Sequence, residues 1–327
     1  VTMTISANAG HFSAKRKFGM ALLLAAICPA SAAMAQNASA PFTVVDTGKN
    51  FPTLQAAIKA IGDGSGSISI APGTYNECAV QEKGQISYLA AEPGKVIFDG
   101  VACEGKAALV LRGISAEVSG LTFRNIKVRD YNGAGIRLEG GDLTVAESWF
   151  QNSQQGILTA GDPSGKIVID RSTFSGLGTC DGPGGCAHSV YVGDYGLLRI
   201  TRSRFEEGRG GHYVKSRAAQ IQIASCSFDD SKGRATNYMI DLPAGATGQI
   251  SNNWFVQGKN KENHSAMIAV GAENQKNPST GLKIIANNAK LAPGVEWSTV
   301  FVADWSGDKL DIADNILGQG ITRFQRR

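Results

Sequence analysis

Residues 210–218 read Gly-Gly-His-Tyr-Val-Lys-Ser-Arg-Ala, which places His212, Tyr213, Lys215 and Arg217 within six positions of one short segment. A second segment, "HSVYVGD", brings His188 and Tyr191, and a third, "NYMIDLPAG", brings Asp241. These are the groups needed to remove a proton beside a sugar carboxylate: a base, a cation to offset the growing enolate charge, and an acid for the leaving oxygen. In that reading Lys215 is the base, its pKa lowered by Arg217 or by a cationic histidine; Tyr191, His188 or His212 donates the proton; and Arg217 neutralises the carboxylate. Asp241 also suits acid or base work in a glycoside hydrolase. Such enzymes generally pair two carboxylates, and the nearest second one by alignment is Glu139.

A repeat must position these residues. Strands ending in "GLTF", "ESWF", "RSTF", "RSRF", "SCSF" and "NNWF" place Phe123, Phe150, Phe174, Phe205, Phe228 and Phe255 at intervals of 27, 24, 31, 23 and 27. Alternating segments such as Leu143-Thr-Val145 and Ile221-Gln-Ile223 precede them, and a polar turn with a second short strand follows. Several short strands per repeat and no helix between them predict the rungs of a parallel β-solenoid, whose stacked rungs share one core. Aligning the second strands on their apolar residues puts Arg137, Thr159, Tyr191, Lys215 and Asp241 in one outward column. Neighbours in it lie about 4.8 Å apart. Tyr213 and Arg217 are expected on the Lys215 side of their strand and the two histidines beside the column, with Arg137, Tyr213 and Glu139 as substrate-binding residues.

The segment from Phe51 to Glu77 departs from the rung pattern. Leu54, Ala57, Ile58 and Ile61 fall at helical spacing, predicting a short helix that caps the open end of the solenoid. Phe-x-x-Leu-Gln-x-Ala-Ile followed by Ile-x-Ile-x-Pro-Gly-Thr-Tyr-x-Glu resembles the opening of pectin-lyase-like right-handed parallel β-helix proteins. The resemblance extends over residues 42–320 and implies an all-β, single-stranded right-handed parallel β-helix. That superfamily includes lyases, hydrolases, esterases, epimerases and adhesins, so the resemblance is specific for fold. Val214-Lys215-Ser216 at a strand end is similar, more narrowly, to chondroitinase B and its alginate-lyase relatives. This likeness implies a lysine base and makes calcium a candidate ion; the following rung offers Asp241 where that group has arginine.

Lys15-Arg16-Lys17, the apolar run from Met20 to Ile27 and the small residues ending at Ala35 describe a signal peptide over 1–35, with the β-helix domain over 36–327. Without it, 29 basic and 28 acidic residues leave a net charge of +1, which points away from nucleic acid. The apolar run is too short for a membrane span. Export to the periplasm or beyond makes Cys180–Cys186 and Cys78–Cys103 the expected disulfides, leaving Cys226 as a buried thiol. The expected partner of this monomer is a polysaccharide, most readily an acidic glycan cleaved by β-elimination. A glycan-binding or cell-envelope structural protein is the alternative, followed by a hydrolase or epimerase. Lys215 and Asp241 also fit an ion pair between adjacent rungs, and the histidines fit hydrogen bonds to turn backbone.

Overall fold

One residue per rung, between the first strand and the phenylalanine-bearing strand, adopts the left-handed conformation. Glu147, Arg171, Arg202, Ser225, Asn252, Ala286 and Asp314 all have φ between 44° and 57°. Each is followed by a small residue, Cys226 in one rung and serine or asparagine in the others, whose side chain bonds backbone in the previous rung. Ser148 Oγ accepts from Leu121 N, Ser172 Oγ from Ser148 N and Ser203 Oγ from Ser172 N. The series resumes as Asn253 Oδ1 accepts from Cys226 N, Asn287 Oδ1 from Asn253 N and Asn315 Oδ1 from Asn287 N. This corner turns the chain from one sheet into the next while satisfying backbone that would otherwise be buried unpaired.

The resulting architecture, described for residues 40–327 in a computed structural model, is a parallel β-solenoid of three sheets with 12, 10 and 10 strands. The expected signal peptide at 1–35 lies outside the described residues. Apart from Phe42–Val44 and Lys49–Phe51, which pair antiparallel at the start of the first sheet, strands pair with the equivalent strand one rung away. Phe98, Phe123, Phe150, Phe174, Phe205, Phe228 and Phe255 therefore stand in register along one sheet. Their rings form a buried stack with centroids 4.8 to 5.7 Å apart, joined by isoleucines and valines from the other two sheets. Phe98 extends the repeat one rung beyond the six phenylalanines that the spacing marks.

The helix Leu54–Ile61 is present, N-capped by Thr53, with Leu54, Ala57 and Ile58 buried. Gln55 makes it a cap for a strand edge. Its Nε2 donates to Val80 O at 3.0 Å and its Oε1 accepts from Val80 N at 2.8 Å, satisfying the first strand of the third sheet, Ala79–Gln81. Both disulfides form. Cys180–Cys186 closes the excursion that lengthens the Phe174–Phe205 interval, with Thr179 and Ala187 bridged at its base. Cys226 is buried as expected, its thiol pushed up to about 12 by burial.

Candidate functional site

The third sheet carries the site on its outer face. In the strand Val214–Ser216, Val214 and Ser216 point into the core, which turns Lys215 outward. Strand pairing sets Tyr191 beside Lys215 and Lys215 beside Asp241, and on the other side Leu158 beside Tyr191 and Arg137 beside Leu158. Thr159 is not in this column. Ile157 pairs with Val190, so Leu158 takes the outward place and Thr159 bonds turn backbone instead, donating to Ala160 O and accepting from Gly193 N.

Lys215 Nζ lies 3.4 Å from Asp241 Oδ2 and 2.7 Å from Glu273 Oε1, and Arg217 binds the other oxygen of Glu273 at 2.6 Å. Both cations sit near the Tyr191 ring, 5.9 Å for Lys215 and 5.8 Å for Arg217. Asp241 is buried, and burial pushes its carboxyl up to about 6 against the pull of Lys215. Its Oδ1 has no hydrogen-bond partner. Part burial opposes the charge on Glu273 as well, yet the hydrogen bonds from Lys215 and Arg217 hold its pKa below the ordinary carboxylate range.

The two histidines stack at 4.8 Å, and Tyr238 continues the stack at 5.5 Å from His212. His188 Nδ1 accepts from the backbone N–H of His212 at 2.9 Å. Gly211 permits this approach: it has φ 60°, and a Cβ there would lie 2.6 Å from His188 Nδ1. Burial, reinforced by the charge on Lys215, pushes His188 down to about 3, and burial sends His212 well below its ordinary value. Both are neutral, so the cationic histidine expected beside Lys215 is absent. His212 Nε2 faces Asp241 Oδ2 at 3.4 Å while its Nδ1 is buried without a partner.

Of the other expected residues, Tyr213 lies elsewhere and Glu139 lies at the edge of the patch. Tyr213 precedes the strand, at the corner where strand alternation does not apply, and turns into the core. Its hydroxyl donates to buried Asp230 at 2.8 Å and accepts from Gly208 N at 3.1 Å. Glu139 is held by Arg112 at 2.7 Å and Lys106 at 2.8 Å in an ion-pair cluster that also includes Glu104, and it lies 3.6 Å from Arg137. Arg137 stays near the column and lines a cavity of about 370 Å³ with Lys106, Asn132, Leu158 and Tyr191. The carboxylate that joins the patch is Glu273. Column alignment misses it because it sits on a loop after its strand, 58 residues from Lys215.

Among the described residues no group of three or more His, Cys, Asp or Glu is placed to hold a metal ion. No described helix is long and apolar enough to cross a membrane. In comparisons with known proteins, residues 112–290 match the family described as right handed beta helix region. No curated protein matches. Among solved structures, ORF18 of Geobacillus virus E2 is similar at 12% identity and a TM-score of 0.46, over 83% of this chain and 56% of that one. This chain thus spans just over half the length of that protein.

Proposed function

Because the chain belongs to the right-handed β-helix family, whose fold is compatible with action on polysaccharides, we propose that it is an exported lyase of an acidic glycan. One observation supports this reading above the others: an amine, a guanidinium and a phenol from two adjacent rungs share one outward patch. A uronate carboxylate takes the Arg217 guanidinium. Once the bound glycan covers the site, a proton passes from Lys215 to Asp241, whose carboxyl burial already disposes to hold one. The neutral amine then removes the proton beside the carboxylate. The electron pair of that C–H bond forms the new C=C bond and expels the glycosidic oxygen, which takes the phenol proton of Tyr191. Arg137 and its cavity extend the binding surface beyond Tyr191. The two disulfides support export, since such bonds persist in oxidising compartments.

Glu273 favours a second reading. Asp241 and Glu273 both reach Lys215, and their environments push their pKa values in opposite directions. That is the signature of an acid and base pair in a glycoside hydrolase. Absorbance near 235 nm, where unsaturated uronates absorb, separates the readings on a panel of acidic polysaccharides with and without calcium. The lyase reading expects a rise that falls at least about 100-fold in rate in Lys215→Ala. Reducing ends without that rise transfer the assignment to hydrolysis. Neither signal, with retained binding, leaves a glycan-binding protein.

A further inference from the structure

Loop 271–281 leaves the strand Ala266–Val270 and runs back over earlier rungs. Glu273 N donates to Pro243 O at 3.0 Å, and Asn277 N to Ala244 O at 2.8 Å. Asn277 Nδ2 reaches Arg217 O at 3.2 Å. Lys276 pairs with Asp194, 82 residues earlier in the chain. The loop is thereby strapped across the face that bears Lys215 and Arg217, and it delivers one carboxylate to both.

Each oxygen of Glu273 meets a different cation, Lys215 on one side and Arg217 on the other. A receptor of this shape recognises a carboxylate by both oxygens. The Glu273 side chain is 45% exposed, against 12% for Lys215 and 29% for Arg217, so it is the solvent-facing partner of both ion pairs. The other carboxylate at Lys215, on Asp241, is only 4% exposed and stays in place. The occupant facing solvent is the one that can leave.

We propose that Arg217 and Lys215, the latter still protonated when the ligand arrives, form a carboxylate-binding subsite which Glu273 fills from within the chain, so that a uronate ligand binds by displacing it. This rests on the reading that the ligand is an acidic glycan, and it restricts the ligand to one with a free carboxylate. The strap lowers affinity by the fraction of molecules in which Glu273 occupies the subsite. Removing its charge removes that competition.

The test is calorimetric titration of the full chain with trigalacturonate, trimannuronate and triguluronate, each as free acid and as methyl ester. Glu273→Gln is expected to bind at least one free acid on the order of three- to tenfold more tightly than the unaltered chain, without a gain for its ester. Lys276→Ala, which loosens the strap and leaves Glu273 intact, is expected to give a smaller gain. Arg217→Ala is expected to abolish the preference for acid over ester. No tightening in Glu273→Gln for any free acid, or equal tightening for acid and ester, overturns the proposal. A flat 235 nm trace in the same samples removes the lyase reading and leaves this comparison of affinities standing.

Discussion

Asp241, His188 and His212 share one buried corner, and their titrations oppose one another. His188, at about 3 against an ordinary 6.5, makes the folded state hold fewer protons than the unfolded chain, so its contribution to stability is lost as pH falls below 6.5. His212 is shifted the same way. Asp241, at about 6 against an ordinary 3.8, makes the folded state hold more protons, so its penalty is full above pH 6 and vanishes below 3.8. Between pH 6 and 4 the carboxylate therefore offsets one histidine. Asp241→Asn is expected to raise stability at pH 7 by about 2 kcal/mol and to lose it about twice as steeply on acidification. Urea midpoints from pH 7 to 4 check both parts; parallel curves for the two proteins would refute the linkage.

At the scale of the element, each rung depends on its neighbours for a closed core. Phe205 stacks between Phe174 and Phe228, at 4.8 Å from each and nearly parallel to both. Replacing it with alanine leaves a cavity that two stacked rings cannot collapse into, and about 3–5 kcal/mol of destabilisation is expected by chemical denaturation. Phe205→Leu refills most of the volume and is expected to cost less than half as much. Cys226 belongs to this scale too. It occupies the corner place that serine holds in the preceding rungs and asparagine in the following ones, its Sγ 3.3 Å from Ala224 O. The odd cysteine is thus a corner residue, inert through burial.

Over the whole molecule, stability is a chain of rung-to-rung interfaces with a cross-link near its N-terminal end. Cys78–Cys103 closes a loop with a sequence separation of 25 residues, worth about 3 kcal/mol on loop-closure grounds. Cys78→Ser/Cys103→Ser is expected to lower the urea midpoint accordingly. Cys180–Cys186, which separates only 6 positions on a surface excursion, is expected to matter less to global stability. Equal losses from the two double variants would contradict the loop-length argument.

The repeat was legible because rung after rung writes the same physical demand into sequence: a left-handed corner, a small residue, then, through most of the stack, a phenylalanine two positions further on. Fold class, capping helix and the outward succession Tyr191, Lys215, Asp241 all follow from such local periodicity, and the disulfide pairs from the spacing of the cysteines. Tyr213 escapes it because a corner residue obeys neither strand alternation nor helical spacing. Glu273 escapes it because no period links a loop to a strand two rungs earlier. Most of the column, Arg137, Tyr191, Lys215 and Asp241, was therefore legible in the sequence through register, while at the rung between Arg137 and Tyr191 aligning apolar residues slipped by one and named Thr159 in place of Leu158. Which carboxylate reaches Lys215 and Arg217, and which histidines lose their charge, was decided by tertiary structure, since loop closure and burial depend on neighbours far apart in the chain.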